Sequence, residues 1–560
     1  MHQTYTYQKF PYARPPELDG GAAKRHPLVV IGCGPVGLAA AIDARQHGIP
    51  VLLLDDDDTV SVGSRGLCYA KRTLEILDRL GCGDPVVAKG VGWDVGRTFF
   101  RDDEVFNFNL RPQPGFKRPG MVNLQQYYLE ETMVQRALDA GVEMRWKNKV
   151  VSVAPHDDHV TLQVETPDGI YAIEADWLIV CDGARSPVRT MLGLDIEGQV
   201  FRDRFLIADV VMRAQFPAER WFWFDPPFHP NQSVLLHREA DDVYRIDFQL
   251  GWDVDPEEEK KPEKVIPRIK AMLGDDREFT LEWVSVYTFQ CRRMNEFRHG
   301  RCLFAGDAAH QVSPFGARGA NSGVQDADNL VWKLKLVMDG KAPMALLDTY
   351  SAERSFGADE NILNSTRSTD FITPKSAVSK TFRNAVLALS RDLPFARKLV
   401  NSGRLSVPCF LADSVLNTPD SEAFAGDMVP GAPMDDAPVD EMIGADGKPS
   451  WLIDHVGGRF QALYFCDDPA AMPEAMQLQL QGLAAAAIPV EPLVIAKRAG
   501  QCALKVVVDR EGIAFPRYDA KPGTLYLVRP DQHVAARWRE AEVSRIVAAV
   551  ARATANFAEV

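Results

Sequence analysis

The chain has 560 residues, of which 46% are hydrophobic and 25% charged, and its formal net charge is -14. This length predicts three or four structural units, and the acidic balance argues against a nucleic-acid partner, because phosphate binding needs a concentrated basic surface. The nine cysteines form no CxxC pair, so we expect neither a disulfide framework nor a metal site. The polar start lacks the apolar core of a signal peptide, and no apolar run approaches the roughly 18 residues that a membrane span needs. We therefore expect a cytoplasmic protein with no membrane partner.

A glycine-rich loop is the first motif that carries chemistry. Residues 1–25 are expected to be a flexible lead, and an apolar strand at 27–31 follows them. The loop then comes before an Ala-rich helix, and its residues are Gly32, Gly34, Pro35, Val36 and Gly37. This pattern predicts dinucleotide binding, with the pyrophosphate at the helix N-terminus. Asp55, after the second strand, is expected to bond a ribose diol. The loop alone does not distinguish FAD from NAD.

A second motif follows the apolar strand at 177–180. It consists of Asp182, Gly183 and, a few residues later, Arg189. An Asp-Gly pair favours a tight turn for purely structural reasons. The functional interpretation is that Asp182 and Arg189 organise a loop near the ligand.

The most informative stretch is residues 301–334. A Gly-Asp pair, Gly306 and Asp307, closes an apolar strand, and a glycine-punctuated turn leads to a helix from about residue 324. The chain thus returns to the ligand of the first loop. Two distant contact regions suit a permanently held dinucleotide such as FAD better than an exchanging nicotinamide. Asp307 is expected to bond ribitol hydroxyls, and the helix N-terminus to stabilise negative charge on a reduced flavin.

The remaining patterns divide the chain into an α/β fold of several parts. We expect a Rossmann-like FAD-binding domain over residues 26–200, with a short excursion into the substrate domain near 95–120. An inserted antiparallel sheet for substrate binding spans 201–295, and 296–350 return to the FAD-binding domain. A helical segment covers 351–425. After a Pro/Gly/Asp-rich linker at 430–438, residues 430–560 alternate strands and helices.

Taken together, the motifs resemble the single-component FAD-dependent aromatic hydroxylases, the para-hydroxybenzoate hydroxylase and phenol hydroxylase group. The resemblance covers about residues 27–410, and the last part resembles the thioredoxin-like domain of phenol-hydroxylase-type members, here without CxxC. A dimerisation or scaffolding role is favoured for it, and a homodimer is a possibility. The resemblance implies non-covalent FAD held by Gly32, Gly34, Pro35, Val36, Gly37, Asp55, Arg65, Gln126, Asp182, Gly306, Asp307, Pro314, Gly319, Ala320 and Asn321. Gln125 is an equally good candidate as Gln126.

The chemistry implied by this resemblance is hydroxylation of a phenol or other electron-rich aromatic compound. NADPH or NADH binds transiently and reduces FAD, O2 adds at flavin C4a, and the hydroperoxide donates OH to the ring. The pocket is expected on the inserted sheet, with the carbonyl of Pro314 facing the substrate. Alternation in the strand at 244–250 groups Arg245, Asp247 and Gln249 on one face.

We predict that Asp247 or His237 hydrogen-bonds the substrate hydroxyl, with Tyr287 as a further catalytic candidate. The predicted pocket residues are Trp221, Trp223, His237, Arg245, Asp247 and Gln249. Each polar residue of this set also has a structural interpretation, and the aromatic residues are as often core as pocket. Two other functions remain open: an FAD-dependent reductase or epoxidase of an apolar substrate, and a flavin-binding redox sensor without turnover.

Overall fold

The computed structural model describes residues 4–20, 22–274, 277–401, 405–443, 446–540 and 542–557. Within these residues the chain forms four β-sheets with helices packed on them. The first part, up to residue 191, contains β1 (Lys24–Ile31), α1 (Pro35–Gln46), β2 (Val51–Leu54), β3 (Cys68–Ala70), α2 (Lys71–Leu80), α3 (Gly83–Lys89), β4 (Val91–Trp93), β5 (Val95–Phe100), β6 (Asp103–Asn109), β7 (Met121–Asn123), α4 (Gln126–Asp139), β8 (Glu143–Arg145), β9 (Lys149–Pro155), β10 (Val160–Thr166), β11 (Gly169–Val180) and α5 (Pro187–Met191).

The second part contains the inserted sheet, the return segment and the helices. Its elements are β12 (Glu197–Met212), β13 (Arg220–Phe224), β14 (Ser233–Arg238), β15 (Val243–Leu250), α6 (Pro256–Glu259), α7 (Pro262–Leu273), β16 (Phe279–Arg293), β17 (Arg298–His299), β18 (Cys302–Phe304), β19 (His310–Gln311), α8 (Gly319–Met338), α9 (Ala345–Ile372), α10 (Ala377–Ser390) and α11 (Pro394–Arg397).

The first sheet has the strand order β17-β18-β11-β1-β2-β8; in addition, β10 pairs with β11, and β9 pairs with β10. Strands β18, β11, β1, β2 and β8 run parallel. The apolar ends of β1 and β11 are buried without alternation, as expected where helices cover both faces of a parallel sheet. This sheet and α1, α4 and α8 form the largest core of the chain.

The second sheet has the order β19-β16-β12-β15-β14-β13-β5-β6. The excursion near 95–120 contributes β5, which pairs in parallel with β13, and β6, which pairs with β5 and forms the edge of the sheet. One face packs on α7, where Val265 and Ile269 meet Ile246 and Phe248 of β15. The opposite face carries a separate cluster that includes Phe205, Phe289 and Phe315 and leads towards the first sheet. The two faces of this sheet therefore have different surroundings.

The C-terminal part contains β20 (Pro438–Ile443), β21 (Asp446–Trp451), β22 (Phe460–Cys466), α12 (Glu474–Leu483), β23 (Val490–Ala496), β24 (Lys505–Asp509), α13 (Ala514–Arg517), β25 (Leu525–Val528), β26 (Val534–Trp538) and α14 (Val543–Ala553). Strand β22 pairs in parallel with β23 and antiparallel with β25, and β26 pairs antiparallel with β25. A βαβ unit extended by an antiparallel pair is compatible with a thioredoxin-like domain, which stays a prediction.

A buried ionic network joins this C-terminal part to the helices of the return segment. The Arg529 guanidinium donates to both Glu353 carboxylate oxygens at 2.8 and 3.0 Å, and Lys333 of α8 donates to Glu353 at 2.7 Å. Asn329 of α8 donates to Asp531 at 3.0 Å. Because all of these groups are almost fully buried, loss of one partner would leave an uncompensated charge. The network thereby fixes where α8 lies.

The expected flexible lead differs from the structure. Residues 4–20 pack along the first domain, where Tyr5 is 7% exposed and stacks on Tyr127 with ring centroids 4.3 Å apart. Phe10 stacks on Trp146 at 4.3 Å. The apolar rings in an otherwise polar segment explain the difference, because burying them compensates the entropy of ordering the chain. Residues 1–3 lie outside the described residues.

Candidate functional site

Four neighbouring parallel strands end at one edge of the first sheet, and each is followed by a motif from the sequence. Gly32 follows β1, Asp55 follows β2, Asp182 lies just beyond β11, and Gly306 lies just beyond β18. Ligands of open α/β sheets bind at the carboxyl ends of the strands. Motifs about 270 residues apart in sequence are thus brought to a single edge.

Steric limits explain the glycines of the first loop. Gly32 has a φ of +100°, and a Cβ there would lie 2.3 Å from the Cys181 carbonyl oxygen. A Cβ on Gly37 would lie 1.9 Å from the Gly32 oxygen. At Gly34 a Cβ meets no atom within 4 Å, so the loop surface there is open, and α1 begins at Pro35 with no side-chain cap. Open space beside uncapped N–H groups is the arrangement that binds a phosphate.

Asp55 is held against the loop. Its Oδ2 accepts from the Cys33 N–H at 2.5 Å and its Oδ1 from the Asp57 N–H at 2.8 Å. Burial raises the pKa of Asp55 to about 6, against the lowering effect of these two backbone bonds. The acid is thus positioned beside the loop, where a ribose hydroxyl can donate to it.

The two glycine motifs touch each other through Val36. A Cβ on Gly306 would lie 2.9 Å, and one on Gly323 2.5 Å, from the Val36 Cγ2. Val36 therefore packs directly on the backbone at β18's end and on the first turns of α8. This close packing explains why glycine is required at both positions.

Asp182 and Asp307 offer free carboxylate oxygens near this edge. Asp182 Oδ2 accepts from the Val188 N–H at 3.0 Å, while its Oδ1 is buried and has no hydrogen-bond partner among the described residues. The Asp307 side chain is reached by solvent, although protein surrounds it closely enough for burial to raise its pKa. Within the described part of the chain, nothing bonds that side chain. Both carboxylates can accept hydrogen bonds from a polyol.

Asp326 supports the Gly306–Asp307 turn from below. Its Oδ2 accepts from the Gly306 N–H at 2.9 Å and pairs with His310 at 2.6 Å, and its Oδ1 accepts from Arg354 at 2.6 Å. Burial alone would raise the pKa of Asp326, but His310 and Arg354 outweigh it and lower that pKa. The carboxylate is therefore ionised and fixes the turn.

The helix of the third motif begins earlier than expected. Helix α8 starts at Gly319, not near residue 324, and its N-cap residue Arg318 provides no side-chain cap. Asn321 uses its amide on protein backbone: Oδ1 accepts from the Ala70 N–H at 2.8 Å, and Nδ2 donates to the carbonyls of Cys68 and Ala317 at 2.8 and 2.6 Å. The Asn321 side chain is thus used within the protein, and its ligand contact stays a prediction. Its side chain ties α8 to β3.

The structure also separates Gln125 from Gln126. The Gln126 Oε1 accepts from the Gly66 N–H at 2.7 Å, and its Nε2 donates to Glu130 at 2.7 Å. Gln125 is 1% exposed and donates to the Ala240 carbonyl at 3.1 Å. Gln126 therefore holds the loop that carries Arg65, whose side chain is exposed, and Gln125 faces the inserted sheet.

A cavity lies between the inserted sheet and the segment that precedes α8. Its walls are Cys68, Phe205, Ile207, Arg220, Leu235, His237, Asp247, Tyr287, Phe289, Pro314, Phe315, Gly316, Ala317 and Leu405. Four predicted residues lie together here: His237, Asp247, Tyr287 and Pro314. The apolar majority with few polar groups is typical of a small-molecule site.

Two polar residues of the cavity wall, Asp247 and His237, have strongly shifted pKa values. Burial raises the pKa of Asp247 to about 7, and the nearby Arg245 and Arg220 lower it only in part. The Asp247 Oδ1 has no hydrogen-bond partner among the described residues. Burial, reinforced by Arg220 and Arg245, holds the pKa of His237 well below its usual range. Asp247 is thus the wall residue poised to change charge near neutral pH.

Other predicted pocket residues lie elsewhere. Trp221 and Trp223 point to the α7 face, where they pack beside Phe216 and Phe228, because alternation on β13 turns Arg220 and Phe222 the other way. The structure thus places the two tryptophans on the face opposite the cavity, where they are partly buried against the cluster between the sheet and α7.

Arg245 and Gln249 share the Asp247 face of β15 but do not line the cavity. The Arg245 guanidinium pairs with Asp209 at 2.8 Å. Gln249 accepts from the Ser233 N–H at 2.9 Å. Arg220 lines the cavity but was not among the residues predicted from the sequence. A signal was present, because Arg220 lies two residues before Phe222 on β13 and therefore on the same face of the strand.

The site is therefore a dinucleotide cradle, formed around Gly34, Asp55, Asp182 and Asp307, next to a largely apolar cavity. The sequence pattern of the family described as FAD binding domain matches residues 25–365, and that of the HcaD C-terminal domain matches residues 441–553. The chain belongs to the FAD binding domain family, and FAD is its cofactor. The open loop at Gly34 and the free oxygens of Asp182 and Asp307 fit that cofactor.

Individual relatives align with most of the chain. A 3-(3-hydroxy-phenyl)propionate/3-hydroxycinnamic acid hydroxylase of Mycolicibacterium smegmatis is 27% identical over 91% of this chain and 90% of its own length. A 6-methylpretetramide 4-monooxygenase of Streptomyces rimosus is 30% identical over 74% of each chain. The crystal structure of the flavin-dependent monooxygenase PieE with FAD and substrate superposes with a TM-score of 0.79, at 23% identity, over 95% of this chain and 99% of that one. This last similarity shows the fold.

No helix in the described ranges is long and apolar enough to cross a membrane.

Proposed function

We propose that this protein is an FAD-dependent monooxygenase that hydroxylates a phenolic or other electron-rich aromatic compound, with O2 and NAD(P)H as co-substrates. The observation that carries the proposal is the cavity itself. One wall of the cavity is formed by residues 314–317, which come just before the start of α8 at Gly319, beside the proposed FAD site. The opposite wall carries Asp247 and His237. An aromatic ring in this cavity would lie between the cofactor and a proton-handling group.

Each part of the cradle has a distinct task in this proposal. The open loop at Gly34 and the N-terminus of α1 would hold the pyrophosphate, and Asp55 the ribose diol. Asp182 and Asp307 would accept from the polyol chain. The uncapped N-terminus of α8, through the backbone of Gly319 to Asn321, would lie near the flavin ring. Bound FAD would supply electron transfer from NAD(P)H and the activation of O2.

The cavity residues would act on the substrate. Ionised Asp247 would accept a hydrogen bond from the phenol hydroxyl and make the ring more phenolate-like, which favours attack by an electrophile. Neutral His237 and Tyr287 would orient the ring, and the Pro314 carbonyl would face it. The phenylalanines of the wall would keep water from the reacting atoms.

A panel of phenols tests this function. Purified protein is incubated with NADPH or NADH and with compounds such as 3-(3-hydroxyphenyl)propionate, 3-hydroxycinnamate and 6-methylpretetramide, which the names of the relatives suggest. We expect at least one compound to stimulate NAD(P)H oxidation and O2 uptake, and to yield a product heavier by one oxygen. Reduction of the flavin without oxygen insertion would favour the reductase, and no reduction by NAD(P)H would favour the redox sensor.

A further inference from the structure

Residues 4–10, here called the N-terminal strap, lie against the loop of residues 59–66 that carries Arg65. The Tyr7 hydroxyl accepts from the Gly63 N–H at 2.9 Å, and the Gln8 carbonyl accepts from the Thr59 hydroxyl at 2.9 Å. The Phe10 N–H donates to the Asp58 carbonyl at 2.7 Å. The strap therefore bonds the loop at its start, Thr59, and at its middle, Gly63.

The same strap also holds the inserted sheet. The Thr4 N–H and hydroxyl both donate to Glu282 of β16, at 2.8 and 2.9 Å. The next residue, Trp283, packs against Gly63 so closely that a Cβ on this glycine, whose φ is +78°, would lie 2.4 Å from the indole nitrogen. Loop, strap and sheet thus meet at Gly63.

Residues 59–66 contain no strand or helix, so the loop depends on contacts with its neighbours. From the other side it is held by Gln126, which accepts from the Gly66 N–H, and by Glu130, which accepts from the Ser61 N–H at 2.6 Å. The Ser64 carbonyl accepts from Arg245 of the inserted sheet. The strap completes this ring of contacts, and it lies outside residues 25–365, which match the FAD binding domain family.

We infer that the N-terminal strap is a positioning element of the cofactor site. It holds the 59–66 loop in the shape that retains FAD, and it ties that loop to the inserted sheet. The role of this loop rests on the proposed FAD contact of Arg65, but not on the proposed substrate chemistry. A protein that hydroxylates none of the phenols can still be tested for the strap.

Two matched tyrosine substitutions test the inference. Tyr7→Phe removes only the hydroxyl that Gly63 bonds and leaves the ring in its cluster with Tyr5. Tyr12→Phe is the control, since its hydroxyl bonds Thr166 and Asp168 on the β10–β11 hairpin, at 3.1 and 3.2 Å, away from the loop. FAD release from the holoenzyme is followed by the rise of flavin fluorescence on dilution, and the unfolding midpoint of each apo-protein is measured beside it.

We expect Tyr7→Phe to release FAD roughly three- to ten-fold faster, the factor that one hydrogen bond supplies, while Tyr12→Phe releases it at the unaltered rate. The unfolding midpoints of the two apo-variants should agree. Thr4→Val, which removes the hydroxyl bond to Glu282, should act in the same direction as Tyr7→Phe. Equal release rates for the two tyrosine variants, or a lower apo midpoint for Tyr7→Phe that accounts for its faster release, would overturn the inference.

Discussion

Replacement of Asp247 by asparagine should stabilise the protein while it removes activity. Burial raises the pKa of Asp247 from its ordinary 3.8 to about 7 in the folded chain. An acid with a raised folded-state pKa lowers stability as pH rises from the unfolded to the folded pKa, because only the unfolded state ionises in that range. The full cost is on the order of 4 kcal/mol above pH 7, from the ~1.4 kcal/mol that each pH unit contributes.

An asparagine side chain cannot ionise. The unfolding free energy of the Asp247→Asn variant should therefore equal that of the wild type near pH 4, and it should exceed the wild-type value by a growing margin as the pH rises to 7. Above pH 7 the difference should stay constant. Denaturant unfolding of FAD-saturated protein at several pH values measures it. Asp253→Asn is the control, because Asp253 is exposed on the same domain.

The same substitution should also change the pH dependence of hydroxylation. If ionised Asp247 accepts from the substrate hydroxyl, the wild-type rate should rise about ten-fold per pH unit below a midpoint near 7. The variant should lose this limb and roughly 100-fold or more of the rate. A stability difference that is the same at pH 5 and pH 8, together with an unchanged rate profile, would refute the assigned environment and role of Asp247.

Four further substitutions follow from the site geometry. Arg220→Gln removes a charge that lowers the pKa of Asp247, so the midpoint of the pH-rate profile should move above 7. Gly37→Ala places a Cβ 1.9 Å from a backbone oxygen and should abolish folding of the loop, whereas Gly34→Ala meets no protein atom and should fold normally but bind FAD more weakly; FAD titration and circular dichroism separate them. Asn321→Ala breaks three hydrogen bonds and should lower unfolding free energy by about 2–4 kcal/mol in denaturant titration.

Each of these has an outcome that contradicts it. An unmoved midpoint for Arg220→Gln means that its charge does not reach Asp247. Equal behaviour of the two glycine variants removes the distinction between a steric and an open position. An unchanged unfolding free energy for Asn321→Ala means that its bonds do not fix α8 to β3.

The first cofactor motif could be predicted from the sequence because its glycines follow a short apolar strand at close spacing. The steric cause is only partly local: Gly37 is limited by the Gly32 oxygen of the same turn, but Gly32 is limited by the carbonyl of Cys181, just after β11. The start of α8 could not be predicted in this way. Its first turns hold Gly319 and Gly323, poor helix formers, and they are helical because Asn321 bonds β3 and Val36 packs on Gly323.

The cavity could be predicted only in part, since alternation defines two faces of a strand but does not say which one meets the cofactor. On β15 the face with polar residues is the face that lines the cavity, so alternation placed Asp247 in the cavity wall. On β13 both faces carry large rings or long side chains, so the pattern favoured the tryptophans. The face of β13 that carries the tryptophans is covered by helix α7, so it is the opposite face that lines the cavity.

The register of the inserted sheet narrows the choice between the two predicted proton-handling residues. On the neighbouring strand β15, Arg245 is the pairing partner of His237, and Arg245 in turn pairs with Asp209 on β12. On the other side, Leu236, the residue before His237, pairs with Trp221 of β13, and Arg220 precedes Trp221. His237 therefore lies between two guanidinium groups, which together with burial keep it neutral. A histidine that cannot gain a proton near neutral pH is a poor base, whereas the pKa of Asp247 is about 7. Since residues 209, 220, 237 and 245 meet only through strand pairing, the sequence left both candidates open, and the register favours Asp247.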